Sequence, residues 1–90
     1  MQDNAVIIHE KDNVAVTLRD LKAREAVIIK GKKYLALPED IPASHKLALR
    51  DISAGEEIIK YGEVVGVSTG EIAQGMWVHT HNLEGSRWKK

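Results

Sequence analysis

"LRDISAGEEIIK", residues 49–60, repeats "LRDLKAREAVII", residues 18–29, without a gap and with six of twelve positions identical. Inside both copies an apolar residue is followed three positions later by Gly or Arg, and three later again by a second apolar residue. Leu21, Arg24 and Val27 form one such set, and Ile52, Gly55 and Ile58 the next. Ile72, Gly75 and Val78 make a third. A tight turn explains the spacing. The first apolar residue plugs the core, the middle residue takes positive φ, which Gly tolerates, and the last starts a strand pointing back inward. Arg24 is the awkward member, because a side chain at positive φ is uncommon. The sets are 31 and then 20 residues apart. A solenoid requires one fixed period, so the repeat reads as an internal echo within a compact β fold.

The rest of the chain agrees. Its apolar runs are short and rich in β-branched residues: "AVII" at 5–8 and again at 26–29, "KLAL" at 46–49, "EIIKY" at 57–61, "VVGVS" at 64–68, "MWVHTH" at 76–81. Gly, Pro, Asp or Asn bounds each one, which is the punctuation of short antiparallel strands. "KGKKY", 30–34, predicts a tight hairpin centred on Gly31, and "LPEDIP", 37–42, predicts a loop, since neither proline fits regular structure there. The segment 13–25 also fits a short helix, with Val14, Leu18 and Leu21 at helical spacing and Asn13 as N-cap. The expected fold class is therefore mainly β: short antiparallel strands with one or two short helices.

Ninety residues make a single domain, 1–90. A chain this short buries only about two-thirds of its unfolded surface, so a deep catalytic cavity with every wall inside it is not expected. Hydrophobic residues make up 43% and charged residues 29%, and 13 basic residues balance 13 acidic ones. That profile belongs to a folded protein and argues against nucleic acid as a partner. Arg87 to Lys90 read as a solvated basic end. No cysteine is present, which excludes disulfides and thiolate zinc sites. Neither a signal peptide nor a run approaching the roughly 20 apolar residues of a membrane span occurs. The expected location is the cytoplasm, with no membrane partner.

Polar residues that ask for a role cluster at strand ends, where functional groups concentrate. His45 and Lys46 follow the proline loop. Lys60 and Tyr61 precede Gly62; taken alone, that triplet is a turn with a snorkelling lysine. His79, His81 and Asn82 close the last apolar run. If 77–81 is a strand, Trp77, His79 and His81 share one face, about 6.5 Å apart along it. Two readings stay open there: a polar outer face on an edge strand, or one wall of a site. Together these residues supply a base, a fixed cation and an amide. His9 stands alone and reads as exposed. No HExxH motif and no Gly-rich phosphate loop occurs.

"IPASHKLALRDISAGEEIIKYGEVVGVSTGEIAQGMWVHTHN", 41–82, resembles the N-terminal domain of the altronate and galactarate dehydratase family. The signatures are His45-Lys46 after a proline, Lys60-Tyr61-Gly62, and Val78-His79-Thr80-His81-Asn82; the looser match extends over Ala5 to Leu83. The resemblance implies a SAF-type domain of β-clip fold. It also implies an acidic-sugar lyase, which removes a proton α to a carboxylate, expels the β-hydroxyl as water, and yields a 2-keto-3-deoxy acid. His79 and His81 are then the catalytic candidates, and His45, Lys46, Lys60, Tyr61 and Asn82 the substrate-binding ones. The family uses iron or another divalent metal; here the large region is expected to hold it, with His79 or His81 as a candidate ligand. The catalytic region of the long enzymes is missing from this sequence, and Met1 suits a small subunit. The expected partners are a large dehydratase subunit and an anionic hydroxy acid, with a homo-oligomer allowed. Alternatives are the small subunit of a sulfolactate sulfo-lyase and a non-catalytic SAF-type carbohydrate-binding module.

Overall fold

The computed structural model describes residues 2–85, and within them the repeated triplets are repeated turns. Arg24 (φ 75°), Gly55 (φ 83°) and Gly75 (φ 88°) all take the left-handed conformation. Each donates its backbone N–H across to another segment: Arg24 to the Leu37 carbonyl, Gly55 to Ser68 and Gly75 to Ala48. The flanking residues Leu21, Val27, Ile52, Ile58, Ile72 and Val78 are all buried. A fourth copy, Ile41, Ser44 (φ 63°) and Leu47, completes the set. The plugs then pair: Leu21 bridges Ile41 and Ile52 bridges Ile72, each through two reciprocal backbone hydrogen bonds.

Nine short strands connect these turns. They are β1 (Ala5–Val6), β2 (Val14–Thr17), β3 (Ala26–Ile29), β4 (Lys32–Ala36), β5 (Lys46–Ala48), β6 (Glu57–Lys60), β7 (Glu63–Ser68), β8 (Trp77–Val78) and β9 (Leu83–Glu84). A four-stranded sheet has the order β1-β2-β5-β8, with hairpin β3–β4 and the sheet β6-β7-β9 beside it, and every pairing is antiparallel.

The hairpins are copies, 31 residues apart. Ala26 pairs Ala36 as Glu57 pairs Val67, and both carry a bulge at the same place, after Val27 and after Ile58. Both tips are two-residue turns with positive φ throughout, Lys30-Gly31 and Tyr61-Gly62, the geometry that suits the twist of the flanking strands. The central sheet follows the same shift: Val16 pairs Lys46 as Leu47 pairs Trp77.

An Asp-Asn pair clamps each hairpin. Asn4 receives the Ile28 N–H and donates to the Ala26 carbonyl, spanning the first bulge. Asn13 does the same for Ile59 and Glu57. Asp3 accepts from Lys30 and Gly31 at one tip, and Asp12 from Gly62 at the other. Both asparagines are buried, so these bonds satisfy groups that would otherwise be desolvated and unpaired.

The core lies on both faces of the central sheet. Ala5, Ala15 and Leu47 face one cluster with Leu21, Val27, Ile29, Leu37 and Ile41. Val14, Ala48 and Val78 face a second cluster with Ile52, Ile58 and Ile72. Alternation along β2 and β5 therefore serves both hairpin units at once.

The expected short helices do not form; among the described residues there is no helix. Residues 13–25 are instead β2 and the first repeated turn. Asn13, read as an N-cap, clamps β6, and Leu18 is exposed while Val14 and Leu21 enter different clusters. Pairing with β5 and β1 outweighed the weak 3.6-residue pattern. The hairpin at 30–34 and the loop at 37–42 are present as expected. The runs 5–8 and 76–81 are strand only over their first residues or middle. Among the described residues no helix is long and apolar enough to cross a membrane. The basic end at 87–90 lies outside the described residues.

Candidate functional site

Strand β8 stops early, and that places the histidines. Asn82 accepts the His79 N–H on Oδ1 and donates from Nδ2 to the Trp77 carbonyl, while its own N–H bonds the His79 carbonyl. This is the same amide clamp that Asn4 and Asn13 apply to the hairpins, here closed locally. It ends β8 at Val78 and wraps residues 79–82 into a turn. The expected strand through His81 is thus replaced by strand and turn, yet the rings still meet. Trp77 stacks on His79, with ring centres 5.3 Å apart and planes at 13°, and His81 tilts against the same indole at 5.6 Å.

His45 arrives from the other side. It precedes β5, whose Leu47 pairs Trp77. The Thr17 hydroxyl donates to the Pro42 carbonyl and accepts the His45 N–H, fixing the turn that aims this imidazole. His45 packs edge-on against Trp77 at 5.3 Å and against His79 at 5.0 Å. The indole N–H donates to His45 Nδ1 at 3.2 Å. Glu39 accepts the Trp77 backbone N–H.

Two lysines border the rings. Lys46 pairs Val78 and is half-buried. Burial first, and then the charge of Lys60, push the Lys46 ammonium below the usual lysine range. Lys60, at the end of β6, lies 4.9 Å over the Tyr61 ring. His79 is pushed down as well, by desolvation first and then by His45, Lys46 and His81. A histidine lowered from its ordinary value is neutral at pH 7 and can accept a proton.

The structure therefore brings His45, Lys46 and His81 each into ring contact or electrostatic reach of His79, with Lys60 adjoining Lys46. Tyr61 is exposed at the hairpin tip and joins them through Lys60. Asn82 is next to the rings, but both ends of its amide are engaged by backbone. Among the described residues no three His, Cys, Asp or Glu side chains converge to hold a metal ion. Among the described residues His79 and His81 do not meet a third such ligand. His9 is exposed as expected, but its ring lies over Gly62, where a Cβ would come within 2.9 Å of it.

Trp77, Glu39 and Thr17 were not singled out from the sequence. Trp77 is legible in part, since alternation over 77–81 puts it on one face with His79. Thr17 and Glu39 act through partners 28 and 38 residues away, and no local pattern announces them.

Short antiparallel strands on a duplicated hairpin frame define a small all-β domain with a rim of imidazoles and lysines. Residues 3–86 match the altronate/galactarate dehydratase SAF domain, and the chain belongs to that family. It is similar to altronate dehydratase of Escherichia coli (strain K12), at 43% identity over 83% of this chain and 15% of the enzyme. It is similar to galactarate dehydratase (L-threo-forming) of the same organism, at 43% identity over 79% of this chain and 13% of the enzyme. It is also similar to the (2R)-sulfolactate sulfo-lyase subunit alpha of Paracoccus pantotrophus, at 44% identity over 60% of this chain and 81% of that subunit. The chain thus spans a small fraction of the dehydratases it matches.

Proposed function

We propose that this domain supplies one wall of the active site of a sugar-acid dehydratase of the altronate or galactarate type, completed by a large subunit or catalytic region. The observation that carries the reading is the convergence of His45, His79 and His81 with Lys46 and Lys60 on one partly buried rim. Lys46 and Lys60 hold a substrate carboxylate, since charge-assisted hydrogen bonds are the strong ones. Neutral His79 takes a proton from the substrate, or His81 does so beside it. The C–H electron pair forms the new double bond, the β-hydroxyl leaves, and the resulting imidazolium returns the proton to it as water. The enol then becomes the 2-keto-3-deoxy acid. The divalent metal, iron by family, is held mainly by the large region and supplies Lewis acidity when bound.

The test is turnover. The isolated chain should form no 2-keto-3-deoxy acid from altronate or galactarate, and the assembled enzyme should do so at about 1 to 10³ s⁻¹. Turnover by the chain alone, or no effect of removing it, overturns the proposal.

A second reading has its own support. The match covers 81% of the Paracoccus pantotrophus sulfo-lyase subunit alpha, a far larger share than of the dehydratases. Under that reading the same rim binds sulfolactate, the leaving group is sulfite, and assay of the assembled enzyme on both substrate classes discriminates.

A further inference from the structure

The family resemblance groups His79 and His81 as catalytic candidates and His45 as a substrate-binding one, and the contacts around Trp77 distinguish His45 from His79. The indole Nε1–H can only donate. It donates to His45 Nδ1, so that nitrogen carries a lone pair and the ring proton sits on Nε2. Protonating Nδ1 would remove this bond and place a second cation 5.0 Å from the His79 ring. Lys46 and His81 already act on that imidazole, and Lys60 adjoins Lys46. Glu39 accepts the Trp77 backbone N–H with its carboxylate and keeps its negative charge there. The His79 ring, in contrast, makes no side-chain hydrogen bond among the described residues, although it stacks on the same indole. Its nitrogens are open to either proton position.

We propose that Trp77 is a positioning residue that locks His45 as an Nε2–H hydrogen-bond donor toward a ligand oxygen, leaving proton acceptance to His79. The lock is a property of this chain by itself; the direction of the donor toward a hydroxy-acid oxygen rests on the function proposed above. Specificity follows from it. A fixed donor beside two ammonium groups selects a ligand presenting acceptor oxygens, such as a carboxylate with an adjacent hydroxyl.

Nitrogen-15 NMR of the imidazoles in the free chain tests the lock. In the wild type the spectrum of neutral His45 should show a bare Nδ1 and a protonated Nε2. Trp77→Phe keeps a ring for His79 to stack on but removes the donor, so both His45 tautomers should appear in this variant. A wild-type His45 with its proton on Nδ1, or the same tautomer balance in the two chains, overturns the lock; the wild-type spectrum decides even if the variant does not fold. In the assembled enzyme, Trp77→Phe should lower kcat/KM about tenfold. A confirmed lock with an unchanged kcat/KM overturns the donor role and leaves the reading of the domain as an active-site wall standing.

Discussion

The two hairpins have one backbone and two surfaces. Hairpin β3–β4 and hairpin β6–β7 share register, bulge and turn, residue for residue at a shift of 31, and each carries an Asp-Asn clamp, Asp3-Asn4 on the first and Asp12-Asn13 on the second. Their side chains diverge where the second approaches the imidazoles. Ile29, 1% exposed in the core, becomes half-buried Lys60. Lys30 at the first tip becomes Tyr61, and Lys33 and Tyr34 become the exposed pair Val64 and Val65. In the sheet, Val14 and Ala15 become His45 and Lys46. What both copies keep is the frame. What only one copy has is a half-buried cation at a position the other fills with an apolar side chain.

Substitution at equivalent positions should expose the contrast most strongly. Ile29→Ala removes a buried side chain and should cost about 2–5 kcal/mol of stability, whereas Lys60→Ala should stay within about 0.5 kcal/mol, both read from denaturant midpoints. Equal losses would erase the distinction. Next in size, His79→Gln should leave folding nearly intact and lower the rate of the assembled enzyme at least about a hundredfold, the lower end for losing an acid or base. A stable variant with full activity, or an unfolded one, would return that residue to the scaffold.

Smaller effects probe the shared frame. Asn4→Ala and Asn13→Ala each leave a bulge's backbone groups desolvated and unpaired, at about 1–3 kcal/mol; the two losses should be similar, and a large inequality would deny that the clamps are equivalent. The smallest effect concerns Lys46, whose pKa is lowered by burial and by Lys60. The folded chain binds this proton less tightly than the unfolded one, so the charged lysine opposes folding at neutral pH. Stability should rise as pH climbs through the lowered value and level off above the unfolded one. Lys46→Met should therefore melt slightly higher than wild type at pH 7, with the gap closing at alkaline pH. A lower melting temperature would show that the ammonium has a stabilising partner.

The repeated triplets were legible because Gly55 and Gly75 advertise their conformation. The fourth copy was missed because Ser44 stands where Gly would, behind a proline that read only as loop. The conserved "LRD…A.E" letters within the chain were visible but unexplained until the structure paired Arg19 with Glu25 and Arg50 with Glu56, and turned Asp20 and Asp51 toward the N–H groups of Ala43 and Gln74. The Asp-Asn clamps were invisible, since Asn13 reaches partners 44 and 46 residues away. For the rim, the residue types were legible and their meeting at one indole was not, because Asn82 ends the strand that alternation alone would have continued.

The position of Asn13 has a consequence for how the chain comes apart. It clamps the second hairpin from the start of β2, and β2 lends Ala15 to one core and Val14 to the other. Neither copy owns a complete set of strands. Fraying one unit strips a wall from its twin, so amides in both hairpins should exchange with solvent through one shared opening of the whole molecule. Duplication here does not yield two foldable halves: a chain cut between Leu49 and Asp51 should give two unstructured pieces that regain shape only on mixing.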